Sequence, residues 1–281
     1  MNNEYKLSEK TGNIWTVGIV LGVLLISIVS SIYVLIDLVN PFKFLNIFIF
    51  AGYFIAVYIS IKIALKVAKS RSSKNSFRFG VIIGILAIYI NWYLFVLFQL
   101  IDANNISFSI LMLDAINIFY YASEIANDGY YFDEILVSNG FLYFFWIIEA
   151  ILIIIAGLIG GFGFTHEEVY CEECDRWVDL IGKDIRLSIA DKDKLDTAIK
   201  EDIGLLTEFP IAKKNETPHL KVNIHHCEKC KNLSTVDIDY ITIRKNDDGK
   251  FVEDNKDYSP VFLIDKETYT KLHNIRGRKR Q

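Results

Sequence analysis

Apolar and polar positions separate along this chain in long blocks. Four stretches are almost unbroken apolar runs: Ile14–Ile36, Phe44–Val67, Phe79–Ile101 and Phe141–Phe164. A hydrocarbon core of about 30 Å takes about 20 apolar residues in helix, and each stretch has that length. One such run can be the central helix of a soluble core, but four cannot share one small globule. The pattern therefore predicts four transmembrane helices. The first run is too long for a signal-peptide core and no small-x-small cleavage site follows it, so it is expected to stay in the protein. Beyond residue 164 the periodicity changes. His219–Ile224 and Leu233–Arg244 alternate as strands, and Pro260–Ile264 reads as a short strand. Residues 246–249 are a turn signal leading into Phe251–Val252. Asp191–Asp202 and Asp265–Asn274 read as helices.

Composition sharpens this division. The 281 residues are 52% hydrophobic and 23% charged, close to the soluble average. That mean blends two materials: 19 of residues 1–164 are charged, against 45 of the 117 residues from 165 to 281. The expected fold class is a membrane α-helical bundle plus a cytoplasmic α+β domain. The bundle covers 1–164, with spans at about 14–36, 44–67, 79–101 and 141–164, and the second domain covers 165–281. A single soluble globule, a disordered chain and a fibrous repeat are excluded.

The basic residues give the orientation. The segment 69–78 holds Lys69, Arg71, Lys74 and Arg78 and no acid, so it is expected in the cytoplasm. The segment 102–140 holds Asp102, Asp114, Glu124, Asp128, Asp133 and Glu134 and neither Lys nor Arg, which places it outside. The first loop, with Asp37 and Lys43, favours neither side. Both termini are then cytoplasmic, in a bacterial inner membrane. Asn105–Ala126 is apolar enough to suggest a fifth span. However, Asp114, Asn117, Tyr121, Glu124 and Asp128 recur three or four apart, as on the polar stripe of a helix, and Asp114 at mid-span would be costly. An interfacial helix in the outer loop is the expectation.

One polar residue from each helix falls at a common depth inside the spans. At 1.5 Å per residue Glu149 lies roughly 12 Å and Asn91 roughly 15 Å below the outer ends of their helices. Ser27 and Tyr53 fall at similar depth. A carboxyl in lipid is costly when charged and marks a candidate functional group. Glu149 is expected to hydrogen-bond Asn91 or Tyr53, and this layer either holds the bundle together or binds a proton or ligand. Lys62 and Lys66 read as anchors whose heads reach the interface. Gly157 and Gly161 form a G-x-x-x-G that suits close helix packing.

All four cysteines lie in the charged half, as Cys171-x-x-Cys174 and Cys227-x-x-Cys230. Two such pairs supply four thiolates, the usual ligand set of a tetrahedral zinc site. The reducing cytosol disfavours the alternative of two disulfides. A redox C-x-x-C and an iron centre of rubredoxin type share the spacing, and the ligands alone leave iron open. The 52 residues between the pairs exceed the usual 15–20 of a compact ribbon, so a subdomain is expected between them. His166, His225 and His226 lie close by. A three-Cys, one-His set is conceivable, but four cysteines already saturate an ion. A saturated site leaves no open position for water, which points to structure rather than catalysis.

The stretches YCEECDRWVDL (170–180) and NIHHCEKCKNLSTVDIDYITIRKN (223–246) resemble zinc ribbons. Each sets a C-x-x-C between short strands, with Trp177 three residues after the first pair. The resemblance covers about 35 residues and implies a bound metal and, in general, nucleic-acid binding, protein binding or simple bracing. Together with the four spans it resembles uncharacterised bacterial membrane proteins with a cytoplasmic zinc ribbon. Nucleic acid is not expected as a partner. The half carries 21 basic against 24 acidic residues, and its one basic cluster is the tail 276–280, which reads as solvated or lying on anionic lipid. No phosphate-binding glycine loop, G-x-S-x-G, H-E-x-x-H or kinase signature occurs, so the chain does not read as an enzyme. The functional expectation is a multi-pass membrane protein that presents a structural-zinc domain to a protein partner, as an adaptor, assembly factor or sensor. The alternatives are a small transporter or channel subunit using Glu149, or a membrane-bound enzyme with structural zinc. Oligomeric state is left open.

Overall fold

The computed structural model describes residues 4–13, 15–40, 45–102, 115–132, 135–137, 140–189, 192–213, 216–245, 251–257 and 260–278. The chain divides into two compact units. One is Glu9–Glu167; the other combines Met1–Ser8 with Glu168–Gln281.

The first unit is helical: α1 (Trp15–Val39), α2 (Asn46–Val67), α3 (Ser73–Asp102), α4 (Ala115–Asp128) and α5 (Gly140–Glu167). Helices α1, α2, α3 and α5 are long and apolar enough to cross a membrane. Their outward faces are apolar as well as their contacts. Val20, Leu24 and Ile28 on α1 and Ile151, Ile155 and Ile159 on α5 are exposed, and faces of this kind suit a hydrocarbon solvent. Helix α3 starts ahead of the apolar run that predicts it. Ser72 caps it, accepting from the Asn75 N–H at 3.4 Å. Lys74 and Arg78, expected in a loop, therefore stand on the first turns of α3.

Glycine sets the closest helix contact. A Cβ on Gly80 would lie 2.2 Å from the Gly157 carbonyl oxygen, and one on Gly161 2.4 Å from that of Ser76. The G-x-x-x-G at Gly157 and Gly161 thus meets a second one, Gly80 and Gly84, and the backbones of α3 and α5 come within reach of each other.

The segment between α3 and α5 contains a 14-residue helix, α4. At 1.5 Å per residue it is about 21 Å long, too short to cross. Ile118, Ala122 and Ala126 form its buried face, and Ile118 packs on Val96 of α3. Residues 103–114, including Asp114 of the predicted polar stripe, lie outside the described residues. A short antiparallel pair follows that the loop composition does not predict, β1 (Tyr130–Phe132) and β2 (Ile135–Val137).

The second unit begins with a hairpin, β3 (Val169–Cys171) and β4 (Arg176–Val178). Its main sheet runs in the order β5 (Leu180–Ser188), β6 (His219–His226), β7 (Ser234–Lys245) and β8 (Phe251–Asp257), all neighbours antiparallel, with β9 (Phe262–Leu263) also on β7. Val236 and Ile238 of β7 and Leu220, Val222 and Ile224 of β6 are buried. They share one core with Leu195 of α6 (Lys192–Lys200), Leu206 of the 3-10 turn Ile203–Glu208, and Leu272 of α7 (Lys266–Arg278). Strands β4 and β5, α6, the 3-10 turn and β6 lie between the two cysteine pairs, and β7 and α7 follow the second pair. Strand β5 escapes a simple pattern because its pairing shifts at Gly182 and again before Ile185. The turn at 246–249 and the predicted cap Asp191 lie outside the described residues, although Lys245 pairing with Phe251 brackets that turn.

The N-terminal segment, expected with the helices, belongs to this sheet unit. Glu4 bridges to Phe262, and the Tyr5 N–H donates to the Val261 carbonyl at 2.8 Å. The boundary expected after residue 164 falls after Glu167.

Candidate metal centre and intramembrane polar cluster

Each C-x-x-C sits at the turn of an antiparallel pair: Cys171 ends β3 with Cys174 in the turn to β4, and Cys227 and Cys230 lie between β6 and β7. In both turns the residue after the second cysteine is left-handed, Asp175 at φ 52° and Lys231 at φ 60°. That bend closes the turn so that both sulfurs face the same side. The Tyr170 hydroxyl donates to Asp175 Oδ1, and the Lys231 N–H donates to the Cys227 carbonyl at 2.8 Å. The side chains of Asn232 and Glu173 tie the two turns together at 3.0 Å.

All four sulfurs lie within 4.8 Å of one another, and Cys171 Sγ stands 3.6 Å from Cys230 Sγ. Tetrahedral Zn–S bonds of about 2.3 Å imply sulfur separations of roughly 3.8 Å, so the spacing fits a common ion. A disulfide would need about 2.05 Å, and all four thiols are free. Burial raises the thiols of Cys174 and of Cys171, the latter to about 12. At Cys227 the N–H groups of Cys230 and Lys229, with the neighbouring thiols, overcome burial and bring it down to about 7. Thiolates are the metal-binding form.

The nearby histidines are engaged elsewhere. His225 Nε2 lies 3.3 Å from Asp237 Oδ1. The His226 ring stacks on Tyr269 at 4.1 Å, with its Nδ1 2.8 Å from Ser234 Oγ. The side chain of His166 lies outside the described residues. One contact was invisible in the sequence. Tyr5 packs against the cysteine cluster. Its hydroxyl donates to the Tyr170 carbonyl at 2.9 Å and accepts from the Tyr170 N–H at 2.8 Å. It does for the strand entering the first turn what a neighbouring strand would do. Trp177 lies directly across β3–β4 from Tyr170, edge to face at 4.8 Å.

The predicted polar layer is assembled differently from the expectation. Asn91 Nδ2 donates to Glu149 Oε1 at 3.1 Å. The second donor is Tyr33, whose hydroxyl reaches the same oxygen at 3.2 Å. Tyr53 pairs instead with Ser30 at 2.9 Å and stacks on Tyr33 at 4.4 Å. Ser27 takes no part: its hydroxyl donates back to the Val23 carbonyl of its own helix at 2.9 Å. A sequence signal for this exists. Gly18, Gly22, Ile26, Ser30 and Val34, four apart, form the buried stripe of α1, and Ser27 stands about 100° off it. Between the end of α1 and the start of α2, the Asn46 amide donates to Asp37 Oδ1 and its carbonyl accepts from Asn40 Nδ2. The Oδ1 of buried Asn91 has no hydrogen-bond partner among the described residues.

The chain matches no protein-family model, and comparison with curated proteins and with solved structures returns no match. The four-cysteine cluster and the four long apolar helices stand on their own geometry.

Proposed function

We propose that this protein crosses a bacterial inner membrane four times and holds a structural zinc ion in a cytoplasmic, ribbon-like domain that binds a protein partner. The observation that carries the reading is the four-sulfur cluster set on two hairpin turns of a sheet unit with a core of its own. Four thiolates favour zinc over harder-ligand metals, with iron the chemical competitor. They fill the ion's coordination, which favours bracing over catalysis. The pairing of residues 4 and 5 with the unit formed by 168–281 supports an even number of crossings, because both ends of the chain then share one side. The basic segment 69–78 supports that side being the cytoplasm. Exposed Leu180, Ile211 and Val252 on the sheet unit are candidate contacts for the partner. Nucleic acid fits poorly with the unit's acidic balance.

A second reading draws on the intramembrane cluster. The Glu149 carboxyl takes donors from α1 and α3, and the unpaired Asn91 oxygen beside it leaves room for one more. A proton- or ligand-handling site in a small transporter uses such a group. One pair of variants separates the readings. The adaptor reading expects Cys171→Ser to abolish both stoichiometric zinc and cross-linking to the cytoplasmic partner, while Glu149→Gln leaves both intact. If Glu149→Gln alone abolishes the cellular phenotype and Cys171→Ser preserves it, transport replaces the adaptor. Purified protein without one zinc per chain removes the ribbon.

A further inference from the structure

Helices α1 and α3 are in contact at Gly22, where a Cβ would meet Phe79 Cζ at 2.9 Å and Ile83 at 3.3 Å. Toward the α3 N-terminus they leave a groove of about 310 Å³, at the lower end of the range for ligand pockets. Its walls are Trp15, Ile19, Phe79, Ile82, Ile83 and Leu86. Ile19 is 39% and Ile82 57% exposed, so the groove opens on the outward face of the bundle. Trp15 stands edge-on to Phe79 at 5.6 Å and fixes one wall.

Polarity is confined to one end. There Arg78 lines the groove with Thr11 and Asn75. Arg78 is exposed and has no hydrogen-bond or ion-pair partner among the described residues. Exposed Lys74 stands one turn further out on the same helix, and the segment 69–78 holds no acid. From Arg78 to Leu86 the groove follows α3 for roughly 12 Å at 1.5 Å per residue. An unmatched guanidinium above an apolar trough, with a tryptophan at the same level, has the polarity of a phospholipid at the membrane interface.

We infer that this groove binds one anionic phospholipid, its phosphate on Arg78 and Asn75 and an acyl chain along Ile82 and Leu86. Guanidinium matches phosphate oxygens with paired donors. The lipid is therefore held by its charge at one end and by apolar burial along the other. The inference rests on reading α1 and α3 as spans.

The test uses the full chain in nanodiscs of phosphatidylcholine containing phosphatidylglycerol, with lipid carried through detergent extraction counted by native mass spectrometry. One phosphatidylglycerol per chain should be retained in preference to phosphatidylcholine. Arg78→Gln should weaken retention about fivefold, the change expected for about 1 kcal/mol per basic residue at a membrane surface, while Arg78→Lys keeps most of it. Ile82→Trp, which fills the trough and leaves the charge, should also release the lipid. Zinc content and helicity of each variant report that it is folded. Inorganic phosphate should not displace the lipid. Equal retention of both lipids, retention unchanged in Arg78→Gln, or displacement by inorganic phosphate overturns the inference. A chain that stays out of the nanodisc overturns the membrane reading, and the inference with it.

Discussion

The two units solve the problem of a close contact in opposite ways. Where α3 meets α5 around Gly80 and Gly157, side chains are deleted: glycines on both helices bring backbone against backbone. Where β3–β4 meets the β6–β7 turn, side chains converge: four sulfurs collect on one point. Lipid does not drive apolar helices together, so the helical unit depends on shape. The sheet unit has its own apolar core, but β3 and β4 are only three residues each and need a cross-link. Polar chemistry is correspondingly rare in the helices and gathered at one carboxyl, while in the sheet unit it is gathered at the cysteines.

The largest effect should come from the metal. Structural zinc in small domains binds with about 10 kcal/mol or more. Chelation, or Cys227→Ser, should therefore lower the unfolding temperature of the sheet unit by well over about 10 °C and leave the helical circular dichroism of the bundle in place. A single joint transition in calorimetry would erase the contrast between the units. Next, Gly157→Val should cost the bundle about 3 kcal/mol through overpacking against the Gly80 carbonyl, read by detergent-resistant folding, with zinc content untouched. A smaller loss, about 1–3 kcal/mol, should follow Tyr5→Phe, which leaves the buried Tyr170 N–H without its acceptor. Faster zinc release to a chelator is the measurement, and release at the wild-type rate would separate the N-terminal segment from the metal site.

The smallest effect concerns acid. Asp265 accepts the Thr268 N–H at 2.7 Å at the start of α7, and this bond, with the Thr268 hydroxyl, holds its carboxyl below the usual value of 3.8. A folded-state value lowered in this way contributes stability above about pH 4 that is lost as pH falls through it. Asp265→Asn should remove that contribution, lowering the stability of the sheet unit above about pH 4 and flattening the acid limb below it. An unaltered acid limb would show that the cap carries none of it.

Much of this was legible because apolar runs and cysteine spacing are local signals. The long helices follow from run length, and the start of α3 moves because the Ser72 cap extends the helix past the apolar stretch. The four cysteines announce their cluster through spacing alone. What was hidden depends on partners remote in sequence. Gly157 and Gly161 were readable as a packing face, yet their counterpart at Gly80 and Gly84 was not. Glu149 was singled out as a buried carboxyl, but its second donor is Tyr33 because the buried stripe of α1 runs through Ser30 and not Ser27. Strand β5 was missed since Gly182 breaks its alternation. Nothing near Tyr5 hints at Tyr170, 165 residues away.

That last separation has a consequence for how the molecule is made. Tyr5 leaves the ribosome first, and its docking strand leaves 165 residues later, a wait of roughly 10–30 s at bacterial and eukaryotic elongation rates. During that wait every apolar helix must be threaded and both cysteine turns are still missing. On the proposed reading, metal loading then follows insertion of the helices. Nascent chains arrested before Cys227 should hold no stable zinc, however completely their helices have entered the bilayer.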